Sequence, residues 1–181
     1  MVLLFGCNGQ LGTVLRELLL LNAEVYLSDI SDQVGVNRWL VDNEPYGEVI
    51  NAVAMTAVDG CETDECRAFE VNALGPKYLA ENVARQGGTL LHVSTDYVFP
   101  GIDPTPRKET DPVCPINAYG RTKWAGEVFV RALCSKHFIV RTAWLYGLHG
   151  KNFVKTILKK ARETGRISDG CGSIRESYVC Q

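Results

Sequence analysis

The chain has 181 residues, 46% of them apolar and 22% charged, with a formal net charge of −2. Such a length and composition suit one globular domain with a full core, and the near-neutral charge makes no electrostatic case for nucleic acid or an anionic membrane as partner. No apolar run approaches the roughly 20 residues of a membrane span. The first strand follows Met1 without the basic and apolar regions of a signal peptide, so the cytoplasm is the expected compartment. The seven cysteines are an odd count and read as reduced thiols.

Apolar runs alternate with segments of helical period, which predicts an α/β fold around a parallel sheet. Val2 to Phe5 reads as a short buried strand and Leu11 to Leu21 as the first helix. Glu24 to Leu27 is the second strand, with Asp29 just past its end. Gln33 to Asn43 reads as a helix stopped before Pro45, and Glu48 to Ala54 as a third strand. A loop is expected through Asp59 to Asp64. Cys61, Asp64 and Cys66 read there as solvated side chains rather than zinc ligands, so no metal is expected. Glu65 to Gln86 reads as one long helix ended by Gly87-Gly88, and Thr89 to Ser94 as a strand. Pro100 to Pro115 is a loop. Asn117 opens a helix to about Cys134, Phe138 to Thr142 is a strand, and Asn152 to Glu163 is a helix. Residues 1–163 form the expected domain; 164–181 form a tail with no assignable element.

Two constellations carry chemistry. The first is Phe5-Gly6-Cys7-Asn8-Gly9-Gln10-Leu11-Gly12, a glycine turn between a buried strand and a helix. Glycines there let the backbone turn tightly and approach a pyrophosphate at the helix N-terminus. Asp29 stands about where an acidic ribose ligand belongs, or it caps the following helix, as Asp32 could. The small residues Ala52, Val53 and Ala54 would let a cofactor lie against the sheet edge. Asn72, an unfavourable residue inside a helix, either anchors a group near the site or faces solvent.

The second constellation is Thr95, Tyr119 and Lys123. A Tyr and a Lys four residues apart share a helix face. A cation one turn away should pull the phenol down from its usual value of about 10, giving a proton donor for ketone reduction while a nicotinamide supplies hydride. Thr95, at a strand end, would hold the carbonyl oxygen, and Lys123 could also hold the nicotinamide ribose. Trp144 and Tyr146 follow a strand end and either face the ligand crevice or pack in the core. His92, His137 and His149 read as structural, with no pattern of acids or thiols around them.

Together these residues resemble the extended short-chain dehydrogenase/reductase family and, within it, the dTDP-4-dehydrorhamnose reductases. The runs that carry the resemblance are Gly6–Gly12, Asn51–Asp59, Ser94–Phe99, Tyr119–Glu127, Arg141–Gly147 and Asn152–Thr156. It implies a Rossmann-type doubly wound parallel sheet. It implies reduction of the 4-keto group of dTDP-6-deoxy-L-lyxo-4-hexulose with NADPH or NADH. Thr95, Tyr119 and Lys123 would be catalytic. Gly6, Asn8, Gly9, Gln10, Leu11, Gly12, Asp29, Ala52, Val53 and Ala54 would contact the cofactor together with Tyr119 and Lys123. Thr95, Asp96, Tyr97 and Trp144 would face the sugar. The expected partner is a small nucleotide-sugar, with a homodimer left open.

The sequence departs from the family pattern twice. The stretch between the second strand and Glu48 is short, and Asp29-Ile30-Ser31-Asp32 also resembles a later motif of the family, so NAD and NADP stay open. The segment after Thr164 does not match, and the C-terminal substrate lobe is expected to be largely missing. Two alternatives stay open: a non-catalytic nucleotide-binding regulatory subunit resembling the β subunit of methionine adenosyltransferase, and an inactive fragment of the reductase.

Overall fold

The computed structural model describes residues 1–19, 23–26, 28–102 and 105–164. Five parallel strands form one sheet in the order β2-β1-β3-β4-β5. They are β1 (Val2–Phe5), β2 (Ala23–Tyr26), β3 (Glu48–Asn51), β4 (Thr89–Thr95) and β5 (His137–Thr142). In register, Leu3 of β1 faces Glu24 on one side and Val49 on the other. The chain leaves β1 toward one edge, then returns to build β3 to β5 on its other side. The reversal makes a switch point between β1 and β3, where a crevice opens beyond the strand ends in sheets of this kind.

Helix α1 (Gln10–Leu18) follows β1, and α2 (Gln33–Asp42) follows β2. Residues 20–22, which include the expected end of the first helix at Leu21, lie outside the described residues, as do Leu27 and the tail from residue 165. The core runs along the sheet through Leu3, Phe5, Val49 and Leu90, with Val36, Leu79 and Val83 packed on it from helices. Phe5, Tyr26 and Trp39 add an aromatic cluster with ring centroids 4.9 to 5.2 Å apart.

Two expectations are corrected here. The expected loop from Asp59 to Asp64 is a helix, α3 (Val58–Thr63), and Cys61 within it is fully buried. Its thiol reaches the Met55 carbonyl at 3.4 Å, so this cysteine is a packing residue and not a solvated one. Asp64 ends α3 and caps the next helix by accepting the Arg67 N–H at 2.9 Å.

The expected long helix from Glu65 is continuous, but it contains a wider turn. It runs as α4 (Glu65–Phe69), a π-helical turn (Glu70–Leu74) and α5 (Gly75–Gln86). Pro76 has no N–H to return to the Asn72 carbonyl, which is the physical cause of the local change in pitch. Gly87, at φ +67, ends α5 in the left-handed region, as expected for a glycine cap. Helix α6 (Ala118–Leu133) carries Asn117 as N-cap, its side chain accepting the Gly120 N–H at 2.8 Å. Helix α7 (Phe153–Thr164) closes the described chain.

Candidate active site

The glycine turn is built by steric necessity. Gly6 sits at φ +89, which an L side chain rarely adopts, and a Cβ there would lie 2.7 Å from the Ala52 carbonyl carbon. A Cβ on Gly12 would lie 1.9 Å from the Gly6 carbonyl oxygen. The exits of β1 and β3 and the first turn of α1 therefore meet backbone to backbone. Gly9 caps α1 with no side-chain hydrogen bond, and the first turn holds no acidic residue. The positive end of the helix thus meets no acidic side chain from its own first turn, which suits a phosphate. Asn8 is exposed and Gln10 and Leu11 are half-buried around this mouth; Ala52, Val53 and Ala54 are half-buried at the exit of β3.

Asp29 is occupied. Its carboxylate accepts the Ser31 N–H and hydroxyl, both at 2.9 Å, and pairs with Arg67. Partial burial works against its charge, but the Ser31 N–H and Arg67 together bring the carboxyl below its ordinary value. Asp32, rather than Asp29, caps α2, through the Gly35 N–H at 3.0 Å. Asn72 does not face solvent. It is fully buried and clamps the Met55 backbone, accepting its N–H at 2.9 Å and donating to its carbonyl at 3.1 Å. It also donates to Thr122 of α6 at 3.1 Å.

Thr95 lies buried at the end of β4, with its hydroxyl 3.1 Å from Asp96 and accepting the Tyr97 N–H at 3.2 Å. Tyr119 stands beside it on α6, and the Tyr97 ring meets the Tyr119 ring edge-on at 5.5 Å. Burial raises the Tyr119 pKa; a hydrogen bond from Thr95 opposes this, while Asp96 adds to it. The phenol is therefore held protonated at neutral pH.

Lys123 corrects an expectation. It was expected to lower the Tyr119 pKa, but Lys123 is not among the influences on that phenol. Its side chain is buried, with Nζ donating to the Val93 carbonyl at 2.7 Å and lying 3.4 Å from His92 Nε2. Sharing a helix face with Tyr119 is not enough: the long lysine stem carries its nitrogen under β4 instead. Burial pulls its pKa down to about 8, against a weaker upward pull from Glu127.

Glu127 is the residue that sequence reasoning missed. It is fully buried one turn beyond Lys123, so Tyr119, Lys123 and Glu127 make a polar stripe at i, i+4 and i+8, a signal readable in advance. Glu127 accepts the Ser94 hydroxyl at 2.6 Å, a fork from Arg141 at 2.9 and 2.7 Å, and Arg131 at 3.0 Å. This ties the strand end that carries Thr95 to the helix that carries Tyr119. Of the histidines, His92 is fully buried beside Lys123, His137 Nδ1 lies 2.6 Å from the Cys134 carbonyl, and His149 lies 3.3 Å from Glu17.

Trp144 is half exposed, so it does not pack in the core. It adopts φ +55, a strained region for an aromatic residue, and meets Phe153 edge-on at 5.0 Å. Tyr146 is exposed as well. Among the described residues, no cluster of three His, Cys, Asp or Glu side chains could hold a metal, and no helix is long and apolar enough to cross a membrane.

A family model described as the RmlD substrate binding domain matches residues 1–168. A dTDP-4-dehydrorhamnose reductase from Aggregatibacter actinomycetemcomitans is 40% identical over 180 residues, covering 94% of this chain and 61% of that protein. The crystal structure of a dTDP-4-dehydrorhamnose reductase from Clostridium acetobutylicum is 44% identical with a TM-score of 0.83, over 89% of this chain and 59% of that one. A Bacillus anthracis dTDP-4-dehydrorhamnose reductase in complex with NADP is 39% identical with a TM-score of 0.84, over 90% of this chain and 59% of that one. The chain thus spans about three fifths of the length of the relatives it matches.

Proposed function

This chain belongs to the RmlD substrate binding domain family, and from that premise we propose that it binds NADPH or NADH over the Gly6–Gly12 turn and reduces the 4-keto group of a dTDP-4-dehydro-6-deoxyhexose to give dTDP-L-rhamnose. Residues 1–163 are the nucleotide-binding domain in this reading and also carry the catalytic groups. The cofactor supplies hydride when bound. The chain's own residues orient the sugar and move the proton.

The observation that carries the reading is the pairing of Thr95 and Tyr119 at the carboxyl end of the sheet, beside a glycine turn shaped for pyrophosphate. The Thr95 hydroxyl holds the carbonyl oxygen. Tyr119, kept protonated by its burial, donates a proton to that oxygen as the alcohol forms. Asp96, Tyr97 and Trp144 flank the sugar, the aromatics offering faces to its ring. Lys123 holds the nicotinamide ribose after leaving the Val93 carbonyl. Asp29 shares the Arg67 guanidinium with Glu70, so it does not decide between NADPH and NADH; a similar dTDP-4-dehydrorhamnose reductase is solved in complex with NADP, and NADPH is the first cofactor to test.

The test is nicotinamide oxidation with a dTDP-4-keto-6-deoxy sugar, in the parent chain and in Tyr119→Phe. The variant should lose about 10²–10⁴-fold in turnover while calorimetry shows unchanged NADPH affinity. Parental turnover in Tyr119→Phe would remove this residue from the chemistry. A chain that binds NADPH, oxidises none and captures a partner enzyme would be a regulatory subunit instead.

A further inference from the structure

Behind the candidate site lies a buried row of polar side chains whose hydrogens are fixed from one end. Asn51, His92 and Lys123 are each at most 1% exposed. The Val53 N–H donates to Asn51 Oδ1 at 3.0 Å, which fixes the amide and aims Asn51 Nδ2 at His92 Nδ1, 3.1 Å away. Nδ1 must therefore accept. A neutral imidazole has one donor and one acceptor, so the remaining proton sits on Nε2. Nε2 faces Lys123 Nζ at 3.4 Å. An ammonium has no lone pair to receive that N–H. An amine has one, and it can still donate to the Val93 carbonyl at 2.7 Å.

We propose that His92 is a positioning residue: in mildly alkaline solution its Nε2–H docks Lys123 as a neutral amine under β4, and Lys123 then gains a proton on leaving His92 for the nicotinamide ribose, so that cofactor binding under those conditions takes up a proton from solvent. The linkage rests on the cofactor reading given above. The arrangement of hydrogens does not.

The groups around Lys123 agree with this assignment. On α6 it has Tyr119 one turn before and Glu127 one turn after. Glu127 is already matched by Arg131 and Arg141 and by the Ser94 hydroxyl, so its charge is largely spent elsewhere. From β4 it meets the neutral His92 ring and the Val93 carbonyl. Burial keeps His92 neutral by holding its pKa well below the usual value. Burial likewise brings Lys123 to about 8, where a modest change of surroundings switches its charge.

The experiment is an NMR titration of the ligand-free chain with lysine labelled at the ε carbon, the Lys123 signal being identified by its loss in Lys123→Arg. The parent should titrate near 8, and His92→Asn should titrate higher by about one pH unit or more, a tenfold or larger gain in proton affinity. Asparagine keeps an acceptor for Asn51 but is too short to place a donor at Nζ; His92→Gln, which can turn its oxygen to Nζ, should shift the midpoint the same way. A histidine that served packing alone would leave the Lys123 midpoint where it was. Calorimetry of NADPH binding in buffers of different ionisation enthalpy should show proton uptake above the parent midpoint, and less in His92→Asn. A parent midpoint in the ordinary lysine range overturns the proposal, as does binding without proton uptake. A chain that binds no NADPH overturns the function proposed above, and the midpoint still decides the role of His92.

Discussion

Glu127 accepts the Ser94 hydroxyl at 2.6 Å in the closed space between α6 and the end of β4. Ser94 precedes Thr95, and Glu127 follows Lys123 by one turn, so this bond sets the strand end against the helix. Two arginines complete the carboxylate's partners, with Arg141 itself laid over the Phe99 and Trp124 rings. Removing one partner of a buried charge network leaves the others uncompensated, which costs about 3–5 kcal/mol. Glu127→Ala should therefore lose stability of that order in urea unfolding. A change under about 1 kcal/mol, the scale of an exposed pair, would mean the network holds nothing in place.

Asn72 makes a second joint, between the Met55 segment and α6. Asn72→Ala would leave the Met55 N–H without its side-chain acceptor and the Met55 carbonyl with the weaker Cys61 thiol contact in place of the amide. Buried polar groups left unpaired cost about 1–3 kcal/mol each. The expected outcome is a lower urea midpoint with an unchanged slope. A midpoint equal to that of the parent would show that water replaces the amide at no cost.

Gly9 separates cofactor binding from folding. A Cβ at this position meets only the Gly6 carbonyl oxygen, at 3.3 Å, and is otherwise open. Gly9→Val should fold but place methyl groups where a pyrophosphate must approach. NADPH affinity should fall at least about tenfold, or about 1.4 kcal/mol, with a thermal midpoint near that of the parent. Equal affinity in calorimetry would place the phosphates elsewhere.

The buried lysine predicts a slope of stability with pH. Its folded pKa, about 8, lies below the unfolded 10.5. Between those values the unfolded chain binds more protons, so stability rises with pH, by about 3 kcal/mol across the whole window. Cys61 and Cys134, raised by burial, and Tyr46, raised to about 12, act in the opposite sense at higher pH. The rise is therefore cleanest from about pH 8 to about pH 9. On the acid side, His92 is held neutral by burial, and stability should decline as pH falls below about 6.5. Urea unfolding of the parent and Lys123→Met across these ranges checks both, since the alkaline rise should vanish in the variant while the acid decline remains.

The order of strands and helices, the glycine turn, the cap at Gly87 and the shared helix of Tyr119 and Lys123 were all legible in the sequence. Each is a local property: apolar period, a residue that tolerates φ > 0, or a spacing of four on one helix. The helix at Val58–Thr63 was not legible, because six residues carry too little period to separate a short helix from a loop. The π-helical turn could have been suspected from Pro76, but its use could not. It places Asn72 between Met55 and Thr122, residues brought together where the π-helical turn packs against α6 and the segment after β3. The same holds for Lys123. Spacing put it one turn from Tyr119, whereas the tertiary fold offered it the Val93 carbonyl and the His92 ring. Periodicity says which face of a helix a side chain leaves from. Which strand carbonyl, ring or carboxylate it then meets depends on strand register and on how closely two elements approach, and only the assembled fold decides that.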